Sequence, residues 1–126
     1  MKTRALVVSL AALAALVGCR PSPDTFSLTS KTTQIISGTS GARTTSMVEG
    51  DVLVLDATPL DGDQKAMSLC VTATSSNAGA VEVRRVEGQC RSFVVSAKAS
   101  GNASVVFSAR DGEESLAVTV APLPLP

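Results

Sequence analysis

Few side chains in this 126-residue chain could carry out catalysis. The sequence contains no histidine, so it lacks the residue that most often activates a serine or cysteine nucleophile. Lys65 and Lys98 are formal candidates for a lysine base, but neither lies in a recognisable motif. The residue types therefore argue against an enzyme and favour a binding or structural protein.

Paired carboxylates are the second candidate chemistry. Asp61 lies close to Asp63, and Glu113 is followed by Glu114. Both pairs lie among turn-forming residues, where acidic side chains are usually solvated. Asp61-Gly62-Asp63 also invites comparison with a calcium loop, but the twelve-residue pattern with its closing glutamate is absent. We therefore predict no catalytic residue, no metal site and no cofactor.

The first 18 residues have the composition of an export signal. Lys2 and Arg4 precede a 13-residue segment, Ala5–Val17, in which only Ser9 is polar. A membrane-spanning helix needs about 20 apolar residues, so this segment is too short to be a stable one. A buried N-terminal helix would show a polar stripe, which this segment lacks. A basic start, a short apolar segment and small residues at its end predict a signal peptide, residues 1–18, that is removed.

The end of this signal, Leu16-Val17-Gly18-Cys19, resembles the lipobox of bacterial lipoproteins. The resemblance implies a diacylglyceryl group on the Cys19 thiol, cleavage before Cys19, and acylation of the new amino terminus. Stable anchoring takes more than one acyl chain, each buried methylene contributing about 0.8 kcal/mol, and a lipidated Cys19 would carry two or three chains. Arg20 follows the cysteine, and a residue other than aspartate there implies sorting to the outer membrane in a cell that has one. The expected location is the cell envelope.

A lipidated Cys19 leaves Cys70 and Cys90 as an even pair of thiols in an exported protein. Export places them in an oxidising compartment, where a disulfide is the expected state. Two cysteines in a chain without histidine cannot complete a four-ligand zinc site by themselves. We therefore predict a Cys70–Cys90 disulfide, which would close a loop of about 20 residues and contribute roughly 3 kcal/mol.

The charge pattern argues against nucleic acid as a partner. The full chain has 11 basic and 11 acidic residues, and removing Lys2 and Arg4 with the signal leaves 9 against 11. Arg84-Arg85 is the only basic cluster, whereas a nucleic-acid interface needs a denser patch. The absence of Trp and Tyr removes the flat exposed aromatic side chains on which sugars stack.

Residues 46–121 show the two-residue period of a β-rich domain. Apolar residues alternate with polar ones in six segments, which turn formers separate every 8–12 residues, and this spacing predicts a β-sandwich. A closed barrel is less favoured because the strands are short and their number is odd. Residues 19–45 are rich in Ser, Thr, Gly and Pro and are predicted to form a flexible tether with one candidate strand. Residues 122–126 form a Pro-rich tail suited to polyproline II.

The order of these segments resembles the bacterial immunoglobulin-like domain, group 2, over residues 46–120. The resemblance is carried by Gly50-Asp51 before a strand, by the turn Ser75-Ser76-Asn77, by Gly101-Asn102-Ala103 before an apolar strand, and by the closing strand Ala117-Val118-Thr119-Val120. It implies an immunoglobulin-like β-sandwich of about seven strands. The family usually has a tryptophan shortly before the Ser-Ser-Asn turn, and this chain has Ala73 there.

These patterns predict a membrane-anchored extracytoplasmic lipoprotein with a small non-catalytic binding module and an envelope protein as its partner. A structural or spacer lipoprotein without a specific ligand is the alternative, and a small extracytoplasmic hydrolase is less favoured. With seven alternating strands, the two termini should leave from opposite ends of the sandwich. The tether should then enter at the end that holds Cys70, Cys90 and Asp111-Gly112.

Overall fold

The computed structural model describes residues 21–125, which form two packed sheets of four strands each. The strands are β1 (Thr25–Ser30), β2 (Arg43–Val48), β3 (Val52–Leu60), β4 (Thr72–Ser75), β5 (Val81–Arg85), β6 (Ser92–Ala97), β7 (Gly101–Ala109) and β8 (Gly112–Ala121). The first sheet has the order β1-β3-β6-β5 and the second the order β2-β8-β7-β4. The predicted all-β sandwich is confirmed. Residues 21–125 include no helix that could cross a membrane, and the predicted signal peptide and Cys19 lie outside the described residues.

The sandwich has eight strands because residues 25–48, expected to add one strand, contribute two. β1 pairs antiparallel with β3, whereas β2 pairs parallel with β8. The loop 31–42 carries the chain back along the sandwich, so that β1 and β2 run in the same direction. Phe26 in β1 and Met47 in β2 are buried, which ties both strands to the core. Much of the segment predicted as a tether therefore belongs to the two sheets.

The core lies between the sheets and is built from every second residue of the strands, as the alternation predicts. Its buried residues in β3 to β8 and just before β4 include Leu53, Leu55, Ala57, Val71, Val81, Phe93, Val95, Ala97, Ala103, Val105, Phe107, Leu116, Val118 and Val120. Leu69, Ala73 and Val83 are partly buried against this core. Phe93 and Phe107 face each other across the sheets, edge to face, with their ring centroids 5.4 Å apart. This pair supplies the aromatic contact at the centre of a domain that has no Trp or Tyr.

The chain enters and leaves the sandwich at opposite ends, as predicted. At the end where it enters, the N-terminal end, Thr25 pairs with Leu60, and the Arg110 guanidinium donates to the Pro21 carbonyl. At the end where it leaves, the C-terminal end, the Leu123 amide donates to Glu49 Oε1 at 3.1 Å. The prediction assumed seven alternating strands, and it holds with eight because β1 and β2 run in the same direction.

Candidate functional site

The predicted disulfide is present at the N-terminal end, where Cys70 and Cys90 have Cα atoms 4.9 Å apart. Cys70 precedes β4 in the second sheet and Cys90 precedes β6 in the first, so the bond joins the two sheets. The Val71 amide adds a hydrogen bond of 2.9 Å to the Cys90 carbonyl. Because Cys70 is exposed while Val71 is buried, the bridge lies at the rim and not in the core.

The Asp61–Asp63 pair forms a turn, as expected from the sequence. Asp61 Oδ1 accepts hydrogen bonds from the amides of Asp63, at 2.8 Å, and Lys65, at 3.0 Å. This carboxylate is therefore occupied in fixing the loop between β3 and β4. Within residues 21–125, no group of three or more His, Cys, Asp or Glu side chains is arranged to hold a metal ion.

Glu114 differs from the expectation that both acids of the Glu113–Glu114 pair are solvated. Glu113 is exposed, but Glu114 is only 3% exposed and points between the sheets. Glu114 Oε1 accepts hydrogen bonds from Arg43 Nε and from the Gly41 amide, both at 3.0 Å, and Oε2 accepts one from Ser40 Oγ at 3.1 Å. The sequence prediction is wrong for Glu114 because these donors lie more than 70 positions away in the chain.

The Arg43 side chain extends the Glu114 contact to a third strand. Arg43 Nη2 donates to the Phe26 carbonyl at 2.9 Å, so that β8, β2 and β1 are joined by one chain of hydrogen bonds. Both oxygens of the Glu114 carboxylate are therefore used by structural partners. The role of the pair is to close the side of the sandwich where β1 and β2 meet.

One serine of the described residues lies against a carboxylate in an open depression on the first sheet. Ser92 Oγ donates to Asp56 Oδ1, and Lys31 Nζ lies 3.1 Å from Asp56 Oδ2, with Arg91 beside them. Burial by itself raises the pKa of Asp56, but the Ser92 hydrogen bond and the Lys31 and Arg91 charges bring it below its ordinary value. A general base works best with a pKa near the working pH, so Asp56 is a poor activator of Ser92.

The two outer sheet faces differ in charge. The outer face of the first sheet carries the three exposed ion pairs of the described residues, Lys31–Asp56, Arg84–Glu82 and Lys98–Glu82. This places Lys98, one of the formal base candidates, in a surface ion pair. The outer face of the second sheet, which we call the hydroxyl-rich face, consists of Thr44, Ser46, Val48, Thr72, Thr74, Asn102, Ser104, Val106, Ser108, Glu113, Ser115, Ala117, Thr119 and Ala121. Glu113 is its one charged member.

The hydroxyl-rich face could not be found by inspecting the sequence for motifs. It combines four strands that are spread over residues 43–121, and the order of these strands is a property of the fold. Its residues are individually ordinary members of alternating strands. Only the register of β2, β8, β7 and β4 brings them onto one surface.

The Pro-rich tail projects from the C-terminal end with exposed leucines. Glu49 holds its start, because Oε1 accepts from the Leu123 amide and Oε2 from the Ser100 amide, at 3.1 and 3.0 Å. The side chains of Leu123 and Leu125 are 62% and 94% exposed. The tail therefore presents two apolar side chains on a backbone that alternating prolines keep out of any strand ladder.

Comparison with known proteins shows the fold. No family model matches the chain, and no curated protein matches it either. Solved structures of the S-layer protein SbsC are similar: a structure of its domains 5–6 has a TM-score of 0.59 and 20% identity over 81% of this chain and 45% of that chain. For structures of domains 1–6 and 4–9, the TM-scores are 0.61 and 0.60 at 18% identity, over 84% and 83% of this chain and 14% and 15% of theirs. The chain thus spans less than half of these matched chains.

Proposed function

We propose that this protein is a lipid-anchored, non-catalytic module of the bacterial cell envelope. The observation that carries the proposal is the entry of the chain at one end of the sandwich and its exit at the other. A lipid on Cys19 would hold the N-terminal end at the membrane and display the C-terminal end. The order of the motifs at Gly50-Asp51 and Ser75-Ser76-Asn77 supports assignment to the bacterial immunoglobulin-like domains of group 2.

Two further observations support a location outside the cytoplasm. A disulfide between sheets is typical of proteins that mature in an oxidising compartment. The fold is also that of domains from a protein described as an S-layer protein. Arg20 after the cysteine favours the outer membrane in a cell with two membranes.

A non-catalytic role is supported by how the candidate groups are used. Asp61 caps a turn, Glu114 is enclosed by structural donors, and Asp56 is held by Lys31 and Ser92. None of these carboxylates is left to act as a base. A small extracytoplasmic hydrolase is therefore disfavoured.

The experiment that tests the anchor is Cys19→Ser in the full chain. We expect the variant to keep residues 1–18, to lose incorporation of labelled palmitate, and to accumulate as a precursor. Arg20→Asp serves as a matched control, since it should keep the lipid and change only the membrane in which the protein is found. A Cys19→Ser protein that matures normally and stays on the membrane without lipid label would disprove the anchor.

We further infer that the tail is the contact for an envelope protein partner. A polyproline II segment is already extended, so docking it into an apolar groove costs less entropy than docking a flexible one. Deleting residues 122–126 should abolish cross-linking to the partner in intact envelopes. It should not lower the melting temperature, because the side chains of Leu123 and Leu125 are exposed and make few packing contacts. Leu123→Ser with Leu125→Ser should do the same while keeping the prolines. Unchanged cross-linking would instead show that the tail only keeps the last strand from pairing at an edge. Absence of any cross-linked partner of the full chain would favour the spacer lipoprotein without a specific ligand.

A further inference from the structure

The hydroxyl-rich face has no part in the proposed anchor or in the tail. We propose that it packs against the same face of a second copy of this chain, forming a weak two-fold symmetric dimer. The inference goes beyond the proposed function and does not rest on the lipid, because the face is complete within the described residues.

The hydroxyl-rich face carries almost no charge. Thirteen of the fourteen residues on this face are uncharged, and Glu113 lies at its border beside the turn between β7 and β8. Covering it with a charged surface, such as the outer face of the first sheet, would remove water from exposed ion pairs that gain no new counter-charge from the uncharged face. A second copy of the same face carries no such cost at its centre, and each Glu113 can stay solvated at the rim.

The side chains at the centre of the hydroxyl-rich face are small. Thr44, Ala117 and Ser104 lie side by side across β2, β8 and β7, and the next row along the strands is Ser46, Thr119 and Asn102. Small side chains in such rows leave the sheet flat enough for a second sheet to approach. Stacked sheets lie about 10 Å apart with their strands within about 30° of each other. The hydroxyl groups can then exchange hydrogen bonds across the interface.

The area of the hydroxyl-rich face suits a weak dimer. The four strands have 6, 10, 9 and 4 residues. At a strand spacing of about 4.8 Å and a rise of about 3.4 Å per residue, they cover about 470 Å² per copy, or about 950 Å² in a dimer. A specific interface usually buries at least about 1,000 Å², and transient ones lie near this limit. The area therefore fits a weak dimer, which would be favoured further if both copies are held in one membrane.

Cysteine cross-linking of the full chain tests the geometry. A two-fold axis through the middle of the face brings its central residue against its own counterpart, and Ala117 is central on β8. Ala117→Cys should give a disulfide-linked dimer on a non-reducing gel, above the level of the wild type. The matched control, Ser96→Cys, lies on the outer face of the first sheet and should not. The absence of a dimer from Ala117→Cys, or equal dimer from both variants, would overturn the proposal.

A charge at the same position tests the energetics. Ala117→Lys places two like charges together in the dimer and should weaken self-association at least about tenfold in sedimentation velocity of the purified full chain. Ala117→Ser should associate like the wild type, and equal melting temperatures would show that all three proteins are folded. Unchanged association of Ala117→Lys contradicts the proposal. Ala117→Lys could instead lose retention in the cell wall while Ala117→Cys fails to cross-link. This result would indicate that the face binds a flat polysaccharide and not a second copy, and it would also overturn the proposal.

Discussion

Glu114 stabilises the sandwich by pairing with a residue from a distant part of the chain. Its carboxylate accepts from Arg43, Ser40 and the Gly41 amide, and all four groups lie where β1, β2 and β8 meet. The Arg43 side chain is 19% exposed and that of Glu114 only 2%. Removal of either partner would therefore leave the other charge largely out of water, which costs far more than the net worth of the pair.

We predict that Glu114→Ala lowers the free energy of unfolding by about 3 kcal/mol, because it leaves Arg43 and two other donors without their acceptor. Chemical denaturation monitored by circular dichroism measures the change. Glu113→Ala is the matched control, since its exposed side chain should change stability by less than about 0.5 kcal/mol. Equal effects of the two substitutions would show that the buried pair has no special role.

A second prediction concerns the pH dependence of Asp56. Because its pKa is lower in the folded state than its ordinary value, the charged form is favoured by folding. The stabilisation is fully present above the unfolded pKa of about 3.9 and is lost as the pH falls through the lower folded value. Asp56→Asn should therefore destabilise the protein at neutral pH, by less than about 1 kcal/mol since the pair with Lys31 is exposed to solvent.

Urea unfolding of the wild type and Asp56→Asn, from neutral to acid pH, measures this effect. The difference in stability between the two proteins should begin to shrink below about pH 3.9 and should vanish once the pH is below the lower pKa of the folded state. Asp63→Asn serves as a control, because the Asp63 side chain is exposed in a turn. A stability difference for Asp56→Asn that stays constant through the acid range would contradict the assignment.

At the scale of elements, the disulfide holds β4 to β6 at the N-terminal end. It closes a loop of 20 residues, and the chain-entropy argument gives it a contribution of roughly 3 kcal/mol. The variant with Cys70→Ala and Cys90→Ala should therefore unfold at a lower temperature in a thermal melt. Reduced wild-type protein should have the same melting temperature as this variant. A double variant as stable as the oxidised wild type would show that the disulfide contributes nothing to the free energy of unfolding.

The strands that the sequence predicts are the four in the middle of the two sheets and the edge strands β4 and β5. β3, β6, β7 and β8 each bury every second residue over several positions, and these buried residues are mostly apolar because one side of the strand meets the core. β2 does not show this alternation of apolar and polar residues. Its sequence is RTTSMV, with Thr45 and Met47 as its fully buried residues, since it is an edge strand that carries Arg43 next to Glu114.

The same distinction applies to the candidate site. The Cys70–Cys90 bond could be predicted because counting thiols needs no knowledge of the fold. The burial of Glu114 could not, since its local sequence is that of a turn and its partner Arg43 lies 71 positions away. Long-range partners and strand order are what the local pattern leaves out.

At the scale of the whole molecule, net charge gives a test of the proposed attachment through lipid. The chain without residues 1–18 has 9 basic and 11 acidic residues, so an anionic membrane surface should not attract it. We expect high salt to leave the protein in the membrane fraction and a mild detergent to release it. Fractionation followed by immunoblotting measures this, with a salt-extractable peripheral protein as the control. Release by salt alone would contradict attachment through lipid.

The parallel pairing of β2 with β8 determines when the second sheet can fold. β2 is among the first strands to be made, but its partner is the last, so the second sheet cannot close until residues 116–121 are available. Contacts between such distant segments carry a loop-closure cost and slow the folding of β-sandwiches. In a chain that crosses a membrane with its N-terminus first, this delay keeps the leading half from completing its fold. The topology would thus help the polypeptide remain unfolded enough to cross the membrane until its final strand has passed.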